Sequence, residues 1–91
     1  MEPTRIAIVD DRPFVSEGIE KVLAGQGGFE IVFHVERGGQ LFKKLMFLTI
    51  REQPNIIILN IQLQGMSRYE VIFRLGKQYP GINRRNICLD Y

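Results

Sequence analysis

The chain has 91 residues, 45% hydrophobic and 24% charged, with a net charge of +2. That is one small domain, 1–91, near the lower range for a self-sufficient core, and its charge is too slight to imply nucleic acid or an anionic membrane. No apolar run approaches the ~18 residues of a membrane span, and two carboxylates come too early at the N-terminus for a secretory signal. The single cysteine, Cys88, rules out an internal disulfide and suits a reducing, cytoplasmic location.

Arg5 to Val9 is an apolar run that ends in acid, Asp10-Asp11. Pro13 suits the first helical position, where its missing N–H costs nothing. Phe14, Val15, Ile19, Val22 and Leu23 recur at helical spacing, and Gly25, Gly27 and Gly28 end that helix. Phe29 to Val35 is β-rich and partly alternating, which predicts an edge strand. Gly38-Gly39 predicts a turn, and Gln40 to Ile50 a second helix. That helix is apolar almost all round, so it is either buried on two sides or offered to a partner.

Pro54 stops that helix, and Ile56 to Leu59 reads as a central strand buried on both faces and ending at the polar Asn60. Ser67, with Glu70 three residues on, has capping-box spacing for a helix from Arg68 to Tyr79 that turns Val71, Ile72, Leu75 and Tyr79 to the core. A last strand runs from Asn86 to Leu89. Strand-helix alternation with short connections predicts an α/β fold with a doubly wound parallel sheet, order 2-1-3-4. Asp10 and Asn60 would then end neighbouring strands, just beyond the carboxyl ends of the sheet where sites form.

The segments IAIVDDRPFVSEGIEKVL and PNIIILNIQLQGMSRYEVIFRLGKQYPG resemble response-regulator receiver domains of the LuxR/NarL class, which have a flavodoxin-like fold. The resemblance runs over essentially all 91 residues. It implies that Asp10 and Asp11 match the acidic pair that holds Mg²⁺, with the Gln62 backbone as a further ligand. Asn60 stands at the phospho-acceptor position, where the family has aspartate. An amide is neutral and cannot form the acyl phosphate, and it takes one negative charge from the cation's cradle, so Mg²⁺ binding should be weakened. Three further departures are Gln64 for the usual Pro, Ser67-Arg68 for the usual Asp-Gly, and Asp90 at the usual Thr/Ser switch position.

Receivers continue through a further helix, strand and helix that this sequence lacks. The last strand would be an exposed edge and sheet surface beside the first helix would be bare, which predicts a homodimer, with exchanged elements as one form. The first reading is thus a non-enzymatic, degenerate receiver that acts through protein–protein contacts in two-component signalling. Its partners would be itself, a histidine kinase or another regulator, with no membrane, and DNA only through a domain outside this chain. The alternative is a receiver fragment of a longer DNA-binding regulator. A third reading is a small phosphotransfer enzyme with Asp10 as nucleophile.

Plainer readings stand beside these. Taken alone, Asp10-Asp11 is a solvated pair after a strand, tied to Arg12. His34 reads as an exposed strand histidine, Cys88 as a buried small hydrophobe, and Arg84-Arg85 as turn charge.

Overall fold

A computed structural model describes residues 2–60, 67–82 and 87–89 of the chain. Its elements are β1 (Thr4–Val9), α1 (Pro13–Gln26), β2 (Phe29–Val35), α2 (Gly38–Met46), β3 (Ile56–Asn60), α3 (Arg68–Gln78) and β4 (Ile87–Leu89). The four strands form one parallel sheet in the order β2-β1-β3-β4. This is the doubly wound arrangement expected from the alternation of strands and helices, and β2 is at an edge as predicted.

Strand periodicity divides the core. Ala7 and Val9 of β1, with Ile57 and Leu59 of β3, pack with Leu41, Phe42 and Leu45 of α2 and Val71 and Leu75 of α3. Ile6 and Ile8, with Ile58, face the other way and meet Ile19 and Leu23 of α1. Successive side chains of a strand point to opposite faces, so the unbroken apolar run of β3 serves both layers. On the α2/α3 side, Phe42 stacks on Tyr79 with ring centroids 6.3 Å apart. The Arg74 guanidinium lies 4.3 Å from the centroid of the same Phe42 ring.

The far end of the sheet is tied by Asn55 and Arg5. The Asn55 amide N–H donates to the Arg5 carbonyl at 2.7 Å, and its side-chain oxygen accepts the Arg5 N–H at 2.8 Å. Arg5 Nε donates to the Gln53 carbonyl at 2.8 Å. These bonds fix where β3 begins against β1, and hence which residues meet at the opposite end.

α3 ends at Gln78, one residue before the expected Tyr79, and α2 differs from expectation at both ends. Gly38 and Gly39 open α2 instead of forming a turn before it. Gln40 reaches back, and its side-chain oxygen accepts the N–H groups of Glu36 and Arg37 at 2.9 and 3.1 Å, which starts the helix early. At the other end α2 stops at Met46, four residues short of Ile50. Thr49 begins a turn there: the Glu52 carboxylate accepts its N–H at 2.9 Å, and its carbonyl accepts from Glu52 and Gln53. Met46, Phe47 and Ile50 are consequently exposed.

α1 ends where Gly27 and Gly28 adopt φ of 72° and 78°, a region that costs glycine nothing. Phe14 and Val22, expected on its inner face, are instead 70% and 60% exposed. On that side Ile19 and Leu23 pack against the sheet. α3 begins at Ser67, whose hydroxyl accepts the Glu70 N–H at 3.2 Å, one half of the expected capping box.

Candidate functional site

The pairing of β1 with β3 sets Val9 beside Leu59, so the next residues along each strand, Asp10 and Asn60, leave the same end of adjacent strands. Asn60 also pairs with Leu89 of β4. The side chains of Asn60 and Cys88 lie outside the described residues, as do Gln62, Gln64, Arg84, Arg85 and Asp90. What can be built from side chains centres on Asp10.

Asp10 is 2% exposed, a buried carboxylate at the tip of a strand. Its peptide is held on two sides by β2. The Asp10 N–H donates to the Val35 carbonyl at 3.0 Å, and the Asp10 carbonyl lies 2.8 Å from His34 Nε2. A carbonyl can only accept, so Nε2 carries the proton in this contact. His34 is therefore half-buried and ties β2 to the end of β1. Strand alternation predicts an exposed histidine here, since it gives no sign of a partner beyond the strand.

The carboxylate is gripped by Arg12. Oδ1 accepts the Arg12 backbone N–H at 2.9 Å and Nε at 3.0 Å, and Oδ2 accepts Nη2 at 2.9 Å. A planar guanidinium matches a carboxylate in this forked manner, and such charge-assisted pairs are the strong ones. Proline restricts the residue before it to extended backbone, and Arg12 sits at φ −103°, ψ 106° just ahead of Pro13. The sequence Asp-Asp-Arg-Pro thus folds back on itself: the proline starts α1 and also holds Arg12 near Asp10. Asp11 beside them is exposed.

A cleft of about 600 Å³ opens between β2 and α2, lined by Lys43, Lys44, Gln40 and Phe47 among others. It includes His34 but none of Asp10, Asp11 or Arg12, so the carboxylate pair does not line this concavity.

Comparison with known proteins agrees with this geometry. No protein-family model matches the chain. A curated relative, the response regulator GacA of Pseudomonas viridiflava, is 27% identical over 78 residues, covering 86% of this chain and 35% of the relative. The RcsB response regulator of Salmonella typhimurium, solved in a study of conformational dynamism for DNA interaction, superposes with a TM-score of 0.79 at 22% identity, over 91% of this chain and 41% of that one. The chain resembles response-regulator receivers in sequence and shares their fold. The signal receiver domain of NarL from Mycobacterium tuberculosis matches with a TM-score of 0.68 and 22% identity, over 85% of this chain and 59% of that domain. The chain spans about a third of the length of the curated relative, which is 35% covered.

The arrangement around Asp10 does not fit a Mg²⁺ cradle as it stands. Mg²⁺ seeks near-octahedral oxygen ligands at about 2.0–2.1 Å and gives up its waters reluctantly. Here both oxygens of the buried carboxylate already accept from Arg12, whose side chain is 27% exposed against 3% for Asp10. Among the described residues no group of three His, Cys, Asp or Glu side chains converges as metal ligands would. The tie to Arg12 follows directly from the sequence once Pro13 is taken into account. The hold of His34 on the Asp10 carbonyl depends on register and was not legible.

Proposed function

We propose that this chain is a degenerate receiver that works through protein–protein contacts and takes no phosphoryl group at its strand-end position. The observation that carries the reading is the register that brings Asp10 and Asn60 to the same end of β1 and β3. At that end an amide stands where an attacking carboxylate would be needed. Amide nitrogen and oxygen are neutral and poorly nucleophilic, and no general base can turn them into an acyl-phosphate precursor. Asp10 is a poor substitute nucleophile, since its carboxylate is buried and forked onto Arg12. Its weakened claim on Mg²⁺ belongs to the same reading.

The contacts would be made first with a second copy of the chain. Along α1 an apolar groove is lined by Phe14, Val15, Gly18, Ile19, Val22 and Leu23. Two copies could set such grooves against one another in a self-complementary, two-fold contact. Exchange of elements between copies would be one form of such a dimer. A histidine kinase or another regulator is the next class of partner.

A second reading is favoured by the coverage of the relatives: the chain would be the receiver part of a longer DNA-binding regulator, with DNA contacted by a separate domain. The two readings share the same silent pocket.

Light scattering on the native chain, with and without acetyl phosphate and Mg²⁺, tests the first reading. A dimer whose stability ignores the phosphodonor is expected at micromolar concentration. A monomer, or a dimer that forms only with the phosphodonor, would overturn it.

A further inference from the structure

We infer that Arg12 is a built-in cation that takes the charge role of Mg²⁺ at Asp10, so that the pocket is closed to metal by its own chain and not by the amide at position 60 alone. The inference rests on the receiver reading of the pocket and deepens it.

Three bonds converge on the one carboxylate. The guanidinium supplies Nε to Oδ1 at 3.0 Å and Nη2 to Oδ2 at 2.9 Å, and the Arg12 backbone N–H adds a third bond to Oδ1 at 2.9 Å. The backbone bond and the side-chain fork come from the same residue, so the carboxylate is oriented before the side chain closes on it. Asp10 cannot turn away readily. Its peptide N–H is bonded to Val35 and its carbonyl to His34 Nε2. Arg12, for its part, is kept extended by Pro13. The pair is therefore pre-organised from both ends.

A guanidinium keeps its charge at every physiological pH, and its planar fork matches a carboxylate better than an ammonium would. To coordinate Asp10, a divalent cation would have to break two charge-assisted bonds. It would then sit beside a displaced positive charge in a poorly solvated place. Both effects oppose metal binding. They act whatever residue stands at position 60. Restoring the family's aspartate there would thus leave the cradle still blocked, and neutralising Arg12 should release it.

The test measures Mn²⁺ affinity by electron paramagnetic resonance of the free ion. It uses the full 91-residue chain and its variants Asn60→Asp, Arg12→Gln, Arg12→Lys, and each Arg12 change combined with Asn60→Asp. At fixed residue 60, Arg12→Gln is expected to tighten Mn²⁺ about tenfold or more, the scale of one close opposite charge. Arg12→Lys keeps the charge and loses the fork, so it should fall between. Melting temperature gives an independent readout: Mg²⁺ should raise that of Arg12→Gln/Asn60→Asp and leave that of Asn60→Asp almost unmoved.

Equal Mn²⁺ affinity of Asn60→Asp and Arg12→Gln/Asn60→Asp would overturn the inference. If Arg12→Gln fails to fold, Arg12→Lys/Asn60→Asp carries the comparison, and an affinity no tighter than that of Asn60→Asp overturns it equally. A phosphoryl adduct on the native chain would end the silent-receiver reading yet leave the ranking of Mn²⁺ affinities standing, so the two failures are told apart.

Discussion

Buried on the strand tip and held by a neighbour two residues on, Asp10 makes the end of β1 sensitive to what stands at position 12. Its side chain is 3% exposed, whereas that of Arg12 is 27% exposed, so removing the arginine side chain takes the charged partner from a buried carboxylate and leaves it the backbone N–H of residue 12. Arg12→Ala should destabilise the fold by about 3 kcal/mol, the low end for breaking a buried pair, because Arg12 is itself partly solvated. Urea denaturation checks this, with Arg12→Lys expected to lose less. Much of this was legible in the sequence, since proline at 13 constrains 12 and an acid two residues earlier is within local reach. His34 was not. Its Nε2 meets a carbonyl on another strand, a contact set by the register of β1 and β2 and not by spacing along either.

Helix ends show where reading from the sequence stops. α3 was legible at its start because Ser67 is a good cap, and its hydroxyl does accept the Glu70 N–H. Ser67→Ala should cost about 1 kcal/mol, measurable in the same denaturation series. Both ends of α2 escape the sequence pattern because long side chains decide them, Gln40 through the preceding amides and Glu52 through the turn at Thr49 that follows the helix. The apolar residues up to Ile50 gave a helical pattern that these contacts cut short. The Glu52 carboxyl is held below its ordinary value of 4.5, first by the Thr49 backbone N–H and then by the Thr49 side chain. A lowered folded value means the contact stabilises fully above the ordinary value and is lost as pH falls through the lower one. Acid titration followed at the Thr49 amide by NMR should show this loss, and Glu52→Gln should abolish the titration.

Across the whole molecule, the sheet order was the most legible feature, since alternating strands and helices admit few topologies. The Ile56–Leu59 run fills both layers, and Leu41 and Leu45 of α2 close one of them. Leu45→Ala, at a side chain 1% exposed, should cost about 2–5 kcal/mol by the usual cavity penalty. Less legible was how apolar residues divide between core and surface. Phe14 and Val22 keep helical spacing with core residues yet are exposed, because spacing alone does not say how wide a face the sheet will cover. If α1 is the dimer face, Phe14→Glu with Val22→Glu should return a folded monomer by light scattering. The proposed silence toward phosphodonors rests on the amide at position 60. Intact-mass spectrometry of the native chain after incubation with acetyl phosphate and Mg²⁺ tests that most directly. An unchanged mass is the predicted result, and a phosphoryl adduct on the native protein would contradict it.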